Sequence, residues 1–280
     1  MVLHAGFLLM NDFVQIEKLC KSFDLSDPLL ARIIYRRSRR FLRAVDKISF
    51  NIKRGQTYAL VGESGSGKST IARMIVGLLL PSSGRVLIDG HNLHNTKFSH
   101  QEHRQIRQRI QMVFQSPYAS LNPRWKVGSI IAEPIIAFSL LKSRNELNHR
   151  IHELLEQVGL SANDSNRFPH EFSGGQRQRI CIARALASKP DFIVCDEPTS
   201  ALDVSVQAQV LNLLKKLQKK LGLTYLFITH DLAVVRVMAH KIGVLKSGKL
   251  VEEQETSDLL KSPKSSYTRM LIQSAPRISK

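Results

Sequence analysis

Cysteine is scarce in this chain of 280 residues. The three present, Cys20, Cys181 and Cys195, have no paired or metal-ligand spacing, and their odd number argues against a disulfide framework. No apolar run approaches the roughly 20 residues needed to cross a bilayer, so the chain is not expected to span a membrane by itself. The first ten residues are apolar but lack a basic start and a small-residue cleavage site. That argues against a secretory signal and for a reducing, cytoplasmic setting. Acidic residues are also few: 23 Asp and Glu stand against 41 Lys and Arg, a formal net charge of +18. With 43% hydrophobic and 23% charged residues the chain is neither disordered nor low in complexity, and its length permits one large domain or two small ones.

The excess positive charge is concentrated. Nine basic residues and one acidic residue, Asp46, lie between Arg32 and Arg54, and five arginines fall within Arg36 to Arg43. The tail 261–280 adds five basic residues and no acidic one. A solvated insert and a frayed tail account for this pattern, and contact with anionic lipid headgroups is the second reading. Nucleic acid is disfavoured, because the basic run lacks alternating aromatics and no reading motif accompanies it.

Along the chain, short strands are expected at 13–18 and 43–53. Between them, 24–42 reads as a polar, arginine-rich inserted hairpin or helix. An apolar strand at 57–61 precedes a helix from Lys68 to about Leu79. Strands at 85–89 and 110–114 flank a His- and Gln-rich connector. The stretch 116–184 reads as an inserted, mostly helical module with helices at 128–141 and 144–158. Strand 192–196, helix 204–220, strand 224–229, helix 231–239 and strand 242–246 then restore an α/β rhythm. The acidic stretch 252–258 leads into a C-terminal helix. One P-loop core at 11–275 carrying a helical insert accounts for the chain better than two successive domains.

Gly62-Glu63-Ser64-Gly65-Ser66-Gly67-Lys68-Ser69 fits the G-x-x-x-x-G-K-[ST] pattern, with a strand before it and a helix after it. Its glycines permit a tight loop whose amides converge on phosphate oxygens at a helix start. Lys68 is expected to bridge β- and γ-phosphates and Ser69 to ligate Mg²⁺, with Thr70 in support. Four apolar residues, Phe192 to Cys195, end in Asp196-Glu197. Open α/β sheets bind ligands at the carboxyl ends of their strands. Asp196 is therefore expected to hold Mg²⁺, and Glu197 to orient or polarise the attacking water. Gln115 and His230 also stand at strand ends, the first within reach of Mg²⁺ or water and the second of the γ-phosphate. Ser173-Gly174-Gly175-Gln176 precedes a helical pattern beginning near Arg177, and with that helix start it forms another anion-binding surface.

Six elements in this order resemble the nucleotide-binding subunit of an ABC transporter over about 13–275. Gly62 to Ser69 matches the Walker A loop, Gln115 the Q-loop and Ser173 to Gln176 the signature. Asp196 and Glu197 match Walker B, Ser200 to Asp203 the D-loop, and His230 the switch histidine. Phe172 stands where Leu is typical, and Phe23 resembles the aromatic that stacks on adenine. The resemblance implies an α/β P-loop NTPase core of ABC type with an antiparallel β subdomain and the inserted α-helical subdomain. It also implies a head-to-tail dimer with ATP and Mg²⁺ held between Walker A of one subunit and the signature of the other. Ser173, Gly175 and Asp203 would then link sites across the interface.

Two runs narrow the branch. Ser116 to Arg124 resembles the D-P-x-x-S-L-N-P-R run of oligopeptide, dipeptide and nickel importer ATPases, with Ser116 replacing Asp. Ser262 to Arg269 resembles the S-P-x-H-P-Y-T-x motif of that branch, with Ser265-Ser266 replacing His-Pro. The resemblance implies ATP hydrolysis coupled to import, with peptide the commoner cargo and nickel the alternative. The implied partners are a second ATPase subunit, different or identical, two transmembrane permease subunits and an external substrate-binding protein, at the cytoplasmic face of a bacterial inner membrane. The short tail and the early basic insert favour the second, F-type ATPase, and no iron–sulfur cluster is expected. An intact signature and D-loop favour an active enzyme over the similar subunit of antimicrobial-peptide-resistance systems. A soluble ABC-type ATPase acting on nucleic acid or ribosomes is the less favoured alternative, since those usually carry tandem ATPase domains or long coiled-coil inserts. His91, His94, His100 and His103 read as a solvated loop, because their spacing fits no compact metal site.

Overall fold

The computed structural model describes residues 12–26, 39–95 and 97–274. Two sheets form its frame. In the first, β1 (Asp12–Asp24) pairs antiparallel with β2 (Phe41–Lys53) on one side and with β4 (Ser83–Ile88) on the other, and the two-residue β5 (His91–Asn92) lies beyond β4. The second sheet has the order β10-β9-β3-β8-β7-β6. Its strands are β3 (Thr57–Val61), β6 (Ile110–Val113), β7 (Phe192–Asp196), β8 (Thr224–Ile228), β9 (Lys241–Lys246) and β10 (Lys249–Glu255). All neighbours are parallel except β10, which returns antiparallel on β9 through the turn at Ser247 and Gly248.

The central strands read as unbroken apolar runs because both of their faces are covered. Side chains alternate across a strand, and the interior divides accordingly. Phe192 and Val194 of β7 and Leu226 and Ile228 of β8 pack between the two sheets. Ile193, Cys195, Tyr225 and Phe227 point the other way, into a core shared with the helical region. The helix α1 (Lys68–Ile75) fills the space between the sheets with Ile71, Ala72, Met74 and Ile75. After α2 (His100–Gln108) and β6 come α3 (Pro117–Ser120), α4 (Val127–Ala137), α5 (Arg144–Gln157) and α6 (Gly174–Leu186). Val127, Ile131, Leu154, Leu155 and Ile180 bind these helices into one apolar unit. The chain closes with α7 (Val204–Leu221), α8 (Leu232–Met238), α9 (Thr256–Lys261) and α10 (Ser266–Ser274). No helix among the described residues is long and apolar enough to cross a membrane.

Several expectations change. β1 runs to Asp24 and β2 begins at Phe41, so the base of the 24–42 insert is a hairpin: Leu25 N–H donates to the Arg40 carbonyl at 2.8 Å. The rest of that insert, 27–38, and the end of the tail, 275–280, lie outside the described residues. α1 stops at Ile75 rather than Leu79, and Gly77 turns the chain with φ of 75°. The His- and Gln-rich connector contains α2, started by a capping box in which Ser99 accepts from Glu102 N–H while the Glu102 carboxylate accepts from Ser99 N–H. The histidines are thus not one solvated loop. His94 is half-buried with Nε2 3.0 Å from the Met74 carbonyl, while His100 and His103 ride on α2. Among the described residues no group of three or more His, Cys, Asp or Glu can hold a metal ion. The acidic stretch after Gly248 belongs to β10, which turns Glu252 inward.

Candidate active site

The loop 62–67 joins β3 to α1 and is wrapped by other segments at close range. A Cβ on Gly62 would overlap the Leu245 carbonyl oxygen of β9. On Gly67, whose φ is 106°, it would stand 2.5 Å from the Ala44 carbonyl oxygen of β2. Only glycine tolerates both the conformation and the approach. Gly248 N–H donates to the Ser66 carbonyl at 2.9 Å, so the β9–β10 turn also holds the loop. Ser66 Oγ is buried and has no hydrogen-bond partner among the described residues.

Lys68 folds back over this loop. Its ammonium donates to the carbonyls of Gly62 and Glu63, both at 2.8 Å. Only 6% of the residue is exposed. Burial lowers its pKa, against the opposing pull of Glu197, Asp196 and Glu63. One residue on, Ser69 Oγ donates to Asp196 Oδ1 at 3.2 Å. Burial raises the Asp196 pKa, and the Ser69 bond and the Arg73 and Lys68 charges only partly offset it. A hydroxyl and a carboxylate facing each other beside a buried lysine form a hard oxygen donor pair, suited to a magnesium ion accompanying phosphates. The glycine cradle, the unpartnered Ser66 hydroxyl and this donor pair fit a magnesium-bound nucleoside triphosphate.

Glu197 is where three strand ends meet. It follows β7 with φ of 47°, and its N–H donates to the Ile228 carbonyl at the end of β8 at 2.9 Å. Gln115, two residues past β6, donates from Nε2 to Glu197 Oε2 at 2.9 Å. His230, two residues past β8, places Nδ1 3.1 Å from Glu197 Oε1. An ionised carboxylate only accepts, so that contact requires the proton on Nδ1. The two neighbouring carboxylates serve different partners, Asp196 meeting Ser69 and Glu197 meeting Gln115 and His230.

The structure therefore gathers Gly62, Lys68, Ser69, Asp196, Glu197, Gln115 and His230 at the carboxyl ends of β3, β6, β7 and β8. Glu63, Ser64 and Gly65 line the exposed side of the loop, and Thr70 is half-buried on α1. The signature residues are not part of this group. Ser173 caps α6, accepting from Gln176 N–H at 3.3 Å, while Ser173 N–H donates to Gln176 Oε1 at 3.0 Å. Among the described residues no hydrogen bond joins 173–176 to the 62–69 loop. Gly174 is exposed, whereas Gly175 is buried where a Cβ would overlap Val206 Cγ1 on α7. Asp203 caps α7, and the Val206 N–H it accepts, at 3.0 Å, holds its carboxyl below the usual range. Phe23 is half-buried on β1 opposite Leu42, with Lys21 Nζ 5.3 Å from its ring centroid. It lies two residues of register from Ala44, whose carbonyl touches Gly67.

The substitutions within the motifs are accommodated. Phe172 is buried, with the Arg167 guanidinium 4.3 Å over its ring. Ser116 Oγ accepts from Ala119 N–H at 3.3 Å and caps α3, as an aspartate would. Sequence reasoning missed the close approach of Leu245 and Gly248 to the loop, for which no motif gives a sign. It also missed Tyr267, whose hydroxyl lies 3.4 Å from Glu63 N–H.

Residues 45–200 match the ABC transporter family model. The chain is 53% identical over 235 residues to the oligopeptide transport ATP-binding protein OppF of Bacillus subtilis, covering 84% of this chain and 77% of that one. It is 51% identical over 239 residues to the oligopeptide transport ATP-binding protein AmiF of Streptococcus pneumoniae, covering 85% and 77%. Among solved structures, the dimeric post-hydrolysis state of the ATP-binding cassette MJ0796 bound to ADP and Pi superposes with a TM-score of 0.74 at 32% identity, covering 87% of this chain and 98% of that one. A loop built for phosphates, a carboxylate served by three strand ends and relatives more than half identical lead to one assignment: the chain belongs to the ABC transporter family, as an ATP-binding subunit.

Proposed function

We propose that this chain is the ATP-hydrolysing, energy-coupling subunit of a peptide importer. The observation that carries the reading is the convergence of Gln115, Glu197 and His230 beside Lys68, Ser69 and Asp196. The peptide assignment draws on the oligopeptide transport proteins to which the chain is similar. In this reading the 62–67 loop and Lys68 bind the phosphates, and Ser66 Oγ gains the partner it otherwise lacks. Ser69, Asp196 and Gln115 would hold Mg²⁺, which would neutralise charge on the phosphate oxygens. Glu197 orients the attacking water and accepts its proton, and His230 holds Glu197 in place and reaches toward the γ-phosphate. Phe23 packs on the adenine.

Ser173, Gly174, Gly175, Gln176 and Asp203 serve the neighbouring subunit's nucleotide in a head-to-tail dimer. That dimer is completed by a second ATP-binding subunit, two permease subunits and an external binding protein, and it lies on the cytoplasmic face of the membrane. The exposure of Ser173, Gly174 and Gln176 at the start of α6 supports this division of labour, while Gly175 packs on α7 and lets the two helices approach. Purification in detergent tests the reading. The chain is expected to bring with it two hydrophobic permeases and a second ATPase, and the external protein of the same system to bind peptides rather than Ni²⁺. Recovery as a soluble nucleic-acid complex would overturn it.

A further inference from the structure

The run Ser262–Arg269, which marked a branch in the sequence, has a physical role that the catalytic account leaves unused. Glu252 of β10 is buried and accepts from Lys264 N–H at 2.7 Å and Ser265 N–H at 3.0 Å. Two backbone donors on one buried carboxylate pin the entry of α10 to the sheet. The next turn buries Tyr267, 6% exposed, with Lys246 Nζ 4.6 Å from its ring centroid. Its hydroxyl reaches Glu63 N–H in the phosphate loop, 204 positions earlier in the chain, at 3.4 Å. Burial, together with the nearby Glu63 carboxylate, raises the phenol pKa, so the hydroxyl stays neutral at working pH.

The amide that Tyr267 meets has a particular neighbour. Glu63 N–H and Gly62 C=O are two ends of one planar peptide group. The Gly62 oxygen accepts from Lys68 Nζ at 2.8 Å. Holding the N–H therefore holds the carbonyl, and with it the lysine.

We propose that Tyr267 is a positioning residue for the phosphate loop: it fixes the Gly62–Glu63 peptide plane so that Gly62 presents its carbonyl to Lys68 and the ammonium is preset for phosphate. The inference rests on reading that loop as the nucleotide site. Without the hydroxyl, the peptide gains freedom that nucleotide binding must remove, which weakens binding and leaves the reacting groups at Glu197 as they were.

Tyr267→Phe deletes only the oxygen and keeps the ring under Lys246. Two measurements on the full chain test the proposal: calorimetric affinity for Mg·ADP, which is not turned over, and hydrogen exchange at the Glu63 amide without nucleotide. The expected result is affinity weaker by about threefold to tenfold and faster Glu63 exchange, with an unchanged melting temperature. In the reconstituted complex KM for ATP rises by the same factor while kcat holds. Met270→Ala, on the same helix with its side chain exposed, should change neither. Unchanged affinity in Tyr267→Phe, or an equal loss in Met270→Ala, would overturn the proposal. Failure of the unaltered protein to bind Mg·ADP would instead overturn the nucleotide reading beneath it.

Discussion

Glu197 has both of its oxygens engaged, one by Gln115 and the other by His230. Each carboxylate oxygen keeps a further lone pair, so a water can be oriented on Glu197 while Gln115 and His230 hold the side chain in place. Glu197→Gln keeps the shape and removes the basicity. Turnover of the reconstituted complex, followed as phosphate release, should fall at least about a hundredfold while nucleotide affinity is retained; undiminished turnover would remove Glu197 from this role. Most of this centre was legible in the sequence, because a G-x-x-x-x-G-K-S run between strand and helix and a strand ending in Asp-Glu each carry their chemistry locally. Gln115 and His230 were legible only through their places at strand ends. Tyr267 lies within the Ser262–Arg269 run, but nothing in local spacing says that an α10 tyrosine meets an amide beside β3.

Between elements, α6 and α7 form a close junction. Gly175 lets the signature helix approach Val206, and a methyl there has no room. Gly175→Ala should destabilise the protein by about 1–3 kcal/mol in denaturant unfolding. Adding Val206→Ala should restore most of that loss; additive losses would show that the two do not meet.

The second junction is electrostatic. Burial alone would raise the Glu252 carboxyl, but the Thr268 hydroxyl beside it and the amides of Lys264 and Ser265 outweigh burial and hold it below the usual glutamate range. A folded-state pKa below the unfolded one gives stability that is complete above the unfolded value and is lost as pH falls through the folded one. Amide protection factors in 262–274, which take out the acid slowing of intrinsic exchange, should therefore fall below about pH 4, before those of β3 or β8, and Glu252→Gln should show the lower protection already at neutral pH. Elements whose apolar runs are buried on both faces, such as β3, β7 and β8, were read from sequence to within a residue. By contrast, α2 offers one buried side chain, Ile106, and the residue that β10 buries is an acid, Glu252, so periodicity announced neither.

Over the whole molecule the surplus charge finds only part of its explanation in the site. Lys68 turns inward, while Arg39, Arg40 and Arg43 are exposed at the base of the hairpin insert. Exchanging the five arginines from Arg36 to Arg43 for glutamine should weaken retention of the assembled complex on anionic liposomes while sparing nucleotide affinity. Equal retention would return these residues to ordinary solvated surface. The sequence announced the order of motifs; the wrapping of the phosphate loop by late segments required the fold, because β3 is flanked by β8 and β9 rather than by its neighbours in the chain. That wrapping has a consequence in time. The loop is made at Gly62, yet Leu245, Gly248 and Tyr267 close on it from far downstream. At about 5–20 residues per second, a ribosome needs roughly 10–40 s to pass from one to the other. A growing chain thus carries its nucleotide motif long before it has the cradle, and it gains a finished site only once α10 emerges.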